Sequence, residues 1–308
     1  MPIDAISKTK QGYVQELLET GLPLFSIVIT CFNKKEYINE AIESALSQDY
    51  DHLEVIVIDD GSNDGSWDII QLCSTKSHKI CATRHLHGRN NGVSASRQLG
   101  VDLSRGHYIL HLDGDDKLLP GRLKHDAEII DQFPSCTSVI SRTRYFHQDF
   151  KSGTRELCNA EEMVDSIVPV MNRLYGTYEL FLLCVYDLDK GEADFRGLPC
   201  VGAVTTRKDI ARSVPWIRGV SCAEDIGYFA RLLMQPRIFY SSECLSEYRL
   251  TTQGAWFQAM ANNTETFWQE FTKRQVRYFA LDVEPQLLLD AQKRLQEMHE
   301  PRMSPSEL

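Results

Sequence analysis

Tyr108-Ile109-Leu110-His111-Leu112-Asp113-Gly114-Asp115-Asp116 decides the fold: a strand-like apolar run that ends in three carboxylates within four residues. Two earlier runs have the same form. Phe25-Ser26-Ile27-Val28-Ile29-Thr30 is short, β-branched and nearly continuously apolar, as suits a strand covered on both faces, and it leads into Cys31-Phe32-Asn33. Leu53-Glu54-Val55-Ile56-Val57-Ile58 leads into Asp59-Asp60-Gly61-Ser62, and a weaker strand is predicted near Ile80 to Arg84.

Helical patterns fill the intervals. Asn33 with Glu36 three residues on is an N-cap signal ahead of Tyr37, Ile38, Ala41, Ile42, Ala45 and Leu46. Further helices are predicted through Trp67, Ile69, Ile70 and Leu72, from Val93 to Leu103 after Asn91-Gly92, and opening at Pro120 with Leu123, Ala127, Ile129 and Ile130. Strand and helix in this alternation predict an α/β fold, an open and mostly parallel sheet wound with helices. Such a sheet binds ligands beyond the carboxyl ends of its strands. The clusters Thr30 to Asn33, Asp59 to Ser62 and Asp113 to Asp116 should therefore converge.

The flanks read differently. Residues 1–23 form an N-terminal helical extension, with Ile6, Tyr13, Val14, Leu17 and Leu18 on one face and Gly21-Leu22-Pro23 as its stop. The main domain takes 24–250, divided into a nucleotide-binding half (24–146) and an acceptor-side half (147–250). In the second half, Val201 to Thr206 looks like a strand, and Cys222-Ala223-Glu224-Asp225 opens an apolar helix. Residues 251–308 carry two more helical patterns, around Phe267 to Phe279 and Leu287 to Met298.

Composition narrows the class. A formal charge of −10 argues against a general nucleic-acid binder. Nine cysteines, odd in number and without a Cys-x-x-Cys pair, read as buried hydrophobes in a reducing compartment. No apolar run has the length of a membrane span and no secretory signal opens the chain, so a cytoplasmic location is expected. Peripheral docking on the inner face of a membrane and dimerisation through the C-terminal helices remain open to it.

Three strand-end or helix-start clusters carry chemistry. An isolated Asp-x-Asp is more often a solvated turn. At the end of an apolar parallel strand, Asp113, Asp115 and Asp116 need water or a cation, because desolvating an unpaired ion costs several kcal/mol. Hard oxygen ligands beside phosphate oxygens favour Mg²⁺ or Mn²⁺. Asp59-Asp60-Gly61-Ser62 reads equally as a helix-capping turn or as a carboxylate that accepts a base-edge N–H. Glu224-Asp225 reads as dipole capping or, with Asp225, as a general base.

With these residues placed, the chain resembles the GT-A fold, family 2 inverting glycosyltransferases, the nucleotide-diphospho-sugar transferases. The resemblance rests on Phe25 to Asn33, Val57 to Ser62, Gly92 to Arg97, Leu112 to Asp116 and Ala223 to Asp225, in the family's order, over roughly residues 24–250. It implies that Thr30, Phe32 and Glu36 meet the base and ribose, with Phe32 as a stacking surface. It implies that Asp60, with Asp59 beside it, reads a uracil. Arg97 falls near the donor, Asp113 at the ribose side and on the metal, Asp115 as the direct metal ligand, and Asp225 as the catalytic base. Asn33, Gly61, Gly114, Asp116 and Glu224 belong to the matched motifs and complete the donor-binding set. Arg249 matches an arginine that can meet the diphosphate, although Leu250-Thr251-Thr252 departs from the family's continuation.

The implied activity is sugar transfer from a nucleotide sugar, UDP favoured, to a hydroxyl of a glycan, lipid-linked or protein-linked acceptor, assisted by Mn²⁺ or Mg²⁺. The chain lacks the Gln-x-x-Arg-Trp motif of the family's processive synthases, which favours single addition. A sugar nucleotidyltransferase is disfavoured because Thr30 to Asn33 contains no glycine. A non-catalytic nucleotide-sugar sensor of the same fold is the rival of a different class.

Overall fold

The computed structural model describes residues 8–148, 155–158, 186–187, 192–193, 200–219, 224–233, 235 and 237–250. Helix α1 (Lys8–Glu19) precedes strand β1 (Phe25–Cys31), α2 (Ile38–Leu46), β2 (Leu53–Asp59), α3 (Ser66–Lys76), β3 (Ile80–Arg84), α4 (Val93–Leu103) and β4 (Tyr108–Asp113). Then follow β5 (Lys117–Leu118), α5 (Arg122–Gln132), β6 (Ser138–Gln148), β7 (Arg155–Cys158), β8 (Tyr186–Asp187), β9 (Glu192–Ala193), β10 (Val204–Arg207), α6 (Lys208–Ser213), α7 (Glu224–Leu233) and β11 (Ile238–Leu250). The predicted C-terminal helices and most of the segment 149–199 lie outside the described residues.

Among the described residues one sheet runs β3-β2-β1-β4-β10-β6-β11-β5, with β7 on β6; β8 and β9 pair separately. Strands β3, β2, β1 and β4 are mutually parallel. Beyond β4 the sheet becomes mixed: β10 is antiparallel to both β4 and β6, while β6 and β11 are parallel. The parallel expectation thus holds for the first half of the domain and gives way at β10.

Every residue of β1 and of β2 is buried, as their continuous apolar runs require. Alternate side chains feed two cores. Phe25, Ile27 and Ile29 pack with α2, α3 and α5 through Ile38, Ile42, Ile70 and Leu123. Val28, Ile56 and Ile58 pack with α4, α6 and α7 through Val101, Ala211, Phe229 and Leu232. Each fully buried aliphatic side chain contributes about 1.5–3 kcal/mol relative to exposure. Helix α4 packs closely on the sheet at Gly100, where a Cβ would stand 2.1 Å from Val28 Cγ1.

Three local expectations need correction. Asn33 does not cap a helix: its backbone is left-handed (φ 53°), outside the region of an N-cap, and α2 starts at Ile38 after Tyr37 and Ile38 both donate to Lys34 O. Pro120 does not open α5, which starts at Arg122 after a left-handed Gly121. Val201–Ala203 is a short 3₁₀ turn, and only Val204–Arg207 forms the strand. That turn carries a structural hub. Arg122, fully buried, pairs with Asp126 at 2.8 Å and donates to Gly202 O and Ala203 O at 2.9 Å. A buried guanidinium is tolerable only with such complete pairing.

Candidate active site

Register brings the three predicted clusters together. Cys31 lies beside Asp59, Asp59 beside Arg84, and Thr30 beside Asp113. The chain leaves these strand ends under mutual restraint: Asp60 N–H donates to Cys31 O at 2.7 Å and Gly114 N–H to Thr30 O at 2.9 Å. A Cβ on Gly114 would press against Thr30 O at 3.0 Å, so close approach rather than backbone handedness calls for glycine there.

The acidic turn is neutralised by two cations from distant elements. Asp113 Oδ1 accepts from Arg97 Nη2 at 2.7 Å and from Thr30 Oγ1 at 3.2 Å. Burial alone would push the Asp113 carboxyl up, but Arg97, Thr30 and Lys34 outweigh it and leave the group below the ordinary carboxylate range. Asp115 pairs with the Lys34 ammonium. Asp116, 4% exposed, accepts the Arg249 N–H on Oδ1 at 2.8 Å. Burial and the Asp115 and Asp113 charges push its carboxyl well above the usual range.

Arg97 also reaches across the sheet. Its Nη1 donates to Glu224 Oε1 at 2.6 Å, which fixes the first turn of α7 against the Asp113 strand end. Asp225, half-buried, follows directly, and its charge acts on Arg97. Trp216 supports the guanidinium from below at 4.6 Å, stacks on Tyr228 at 3.9 Å and donates from Nε1 to His111 Nε2 at 3.2 Å.

On the other flank, Asp59 accepts Ser62 N–H at 3.2 Å and pairs with Arg84 Nη2 at 2.7 Å, and Arg84 lies over Trp67. Asp60 is 3% exposed and accepts Asn91 N–H at 2.8 Å. Gly61 is left-handed at φ +83°. Asn33 Oδ1 accepts Asn63 N–H at 3.0 Å, joining the two loops. Phe32, 44% exposed, presents a large apolar face at the rim, and Glu36 is exposed.

Arg249 takes a different place from a free phosphate ligand. Its guanidinium lies between the rings of Tyr37 and Phe146, each at 4.7 Å, and donates to Glu40 at 2.7 Å and to Asp115 O at 2.8 Å. In this arrangement it braces the acidic turn. Lys34, Glu40, Arg84, His85, Asn91 and Trp216 join the site without a motif to announce them. Lys34, Arg84 and His85 lie at or near a predicted strand end, and Asn91 belongs to the Asn91-Gly92 pair ahead of a predicted helix; Glu40 and Trp216 carry no such signal.

The donor set fits a divalent cation at one position. Among the described residues no three His, Cys, Asp or Glu side chains converge on a point. Asp113 is engaged by Arg97 and Thr30, and Asp116 by Arg249. Asp115, held by a flexible lysine, suits a hard cation that takes its remaining ligands from phosphate oxygens and water.

Comparisons with known proteins point to glycosyltransferases. Over 145 residues the chain is 36% identical to an uncharacterized glycosyltransferase of Haemophilus influenzae, covering 47% of this chain and 56% of that one. It is 26% identical over 231 residues to a putative teichuronic acid biosynthesis glycosyltransferase, TuaG, of Bacillus subtilis, covering 74% and 79%. The chain spans no more than 56% of the length of the Rickettsia and Haemophilus relatives it matches. The crystal structure of S. aureus TarS 1-349 in complex with UDP-GlcNAc superposes with a TM-score of 0.58 at 17% identity, over 85% of this chain and 68% of that one, and so shares its GT-A fold. The model of glycosyl transferase family 2 matches residues 26–181, a little over half of the sequence, and the chain belongs to that family.

Proposed function

We propose that the chain transfers a sugar, with inversion, from a UDP-sugar to a hydroxyl of a lipid-linked or polysaccharide acceptor. The carrying observation is the Arg97 bridge, which holds Glu224 at 2.6 Å and Asp113 at 2.7 Å and so ties the first turn of α7, from which the Asp225 charge acts on Arg97, to the acidic strand end. Relatives support the acceptor class: TuaG is named for teichuronic acid biosynthesis, and an Escherichia coli relative as a glucosyltransferase that uses UDP-Glc and a GlcNAc-diphosphoundecaprenol. TarS, a structural neighbour, was crystallised with UDP-GlcNAc and with UDP.

In this reading Asp60 contacts the base edge, Phe32 stacks on the base, and Thr30 and Glu36 meet the nucleoside. Asp225 takes the proton of the acceptor hydroxyl as its oxygen bonds to the anomeric carbon and the bond to the diphosphate oxygen breaks. A divalent ion at Asp115, when bound, supplies charge stabilisation to the leaving diphosphate. Lys34 holds Asp115 and Arg97 holds Asp113 in place. A lipid-linked acceptor would place this chemistry at the inner face of a membrane.

A panel of UDP-sugars with Mn²⁺ or with EDTA, read as UDP release, tests the proposal. Turnover should require the ion, Asp225→Asn should abolish it while keeping donor binding, and Asp115→Ala should lose both. Full activity in Asp225→Asn would remove that residue from the mechanism. Tight UDP binding without turnover under any condition would favour a sensor.

A further inference from the structure

Asp59 and Asp60 are adjacent, yet they are held differently. Asp59 is fully buried and spent on Ser62 N–H and Arg84, as a brace between loops. Asp60 is gripped from one side by the connection between β3 and α4. Asn91 N–H donates to its Oδ1 at 2.8 Å, and His85 Nε2 lies 3.6 Å from the same oxygen. The same imidazole nitrogen is 2.8 Å from the hydroxyl of Ser96, which is fully buried. His85 itself is 12% exposed. The connection packs closely on the turn after Asp60, where a Cβ on Gly61 would stand 2.7 Å from Gly88 O and 2.8 Å from Asn90 N.

We propose that His85 is a specificity-determining residue for the donor's base: it fixes the rotation of the Asp60 carboxylate, so that a base edge offering an N–H is accepted and one offering a bare acceptor is rejected. The inference rests on Asp60 as the base-contacting residue of the proposed function. Uracil offers an imide N–H at that edge, whereas cytosine offers an unprotonated ring nitrogen. An ionised carboxylate can only accept, so cytosine sets two acceptors against each other. Orientation decides how large that difference is, since hydrogen bonds weaken steeply with misalignment. Without the imidazole, Asp60 keeps the Asn91 N–H and its contacts with Ser96 and Gly92, but the Ser96 hydroxyl loses the ring nitrogen that holds it at 2.8 Å, and the carboxylate can turn together with it.

Calorimetric titration of the full chain with UDP and with CDP tests this, using the wild type, His85→Ala, His85→Gln and Asp60→Asn. The wild type should prefer UDP, and His85→Ala should lose about tenfold of that UDP-to-CDP ratio, the size of one well-placed hydrogen bond to a charged group. His85→Gln, whose amide nitrogen can take the imidazole's place between Ser96 and Asp60, should recover most of it. A general loosening of the loop would weaken both nucleotides together, leave the ratio unchanged and so overturn the proposal. A wild-type ratio in His85→Ala, with the ratio lost in Asp60→Asn, overturns the role of His85 and leaves the Asp60 reading standing. An unchanged ratio in Asp60→Asn overturns both.

Discussion

Arg97 Nη2 and Asp113 Oδ1 lie 2.7 Å apart with the arginine 2% exposed, so the last residue of β4 is held from α4, sixteen residues earlier in the chain. The other arm of the same guanidinium holds Glu224. Arg97→Met would leave two carboxylates facing one another without their cation. Removing one partner of a buried ion pair costs about 3–5 kcal/mol. A markedly lower melting temperature and loss of UDP release are expected. Arg97→Lys should recover stability only in part, because one ammonium cannot fork between two acids. Wild-type melting in Arg97→Met would remove the bridge from the stability of the site.

Lys34 pairs with Asp115 and would compete with a cation bound there. Lys34→Met should strengthen Mn²⁺ binding in the absence of nucleotide several-fold, as read by electron paramagnetic resonance of free Mn²⁺. Weaker Mn²⁺ binding in that variant would count against Asp115 as the ion's ligand.

Gly61 combines φ +83° with a Cβ position 2.7 Å from Gly88 O. Gly61→Ala must strain its backbone and push the loop off Asp60, at about 1–3 kcal/mol. Chemical denaturation should show that loss, and UDP affinity should fall with it. Gly114→Ala, with its nearest contact at 3.0 Å and ordinary backbone, should be milder.

Burial, then the Arg97 charge, pushes the His111 imidazole down to about 3 from an ordinary 6.5. In the unfolded chain the ring takes its proton near 6.5, so that state gains protons first as pH falls. The folded protein's advantage is therefore complete above about pH 6.5 and is lost progressively towards pH 3. His111→Gln keeps an acceptor for the Trp216 N–H but cannot titrate. Its stability should fall less steeply between about pH 6 and pH 4, measured by urea melts at each pH. Parallel curves would rule the imidazole out.

Much of this architecture was legible because parallel strands buried on both faces write themselves as apolar runs. Phe25–Thr30 and Leu53–Ile58 end one residue from the observed strands, and Val93–Leu103 matches its helix. Convergence of the strand-end clusters followed from topology alone. The partners of those clusters were not legible. Arg97 meets Glu224 across 127 residues, and Arg249 meets Glu40 across 209, separations at which no local pattern operates. The turn at Asn33 misled for a related reason: its Asx side chain and the later Glu36 imitate a cap, but the side chain is claimed by Asn63 of another loop.

Strand β4 is hydrogen-bonded to β1 on one side and to β10 on the other. It is at once the last of the four parallel strands and the first neighbour of the mixed part of the sheet, so the two parts share a beam instead of meeting at a hinge. On the proposed mechanism, alignment of leaving group and base would be inherited from the sheet and need not be rebuilt at each turnover. Loops at the strand ends can vary, while the distance between the acidic turn and α7 stays set by β4 and the arginine that spans it.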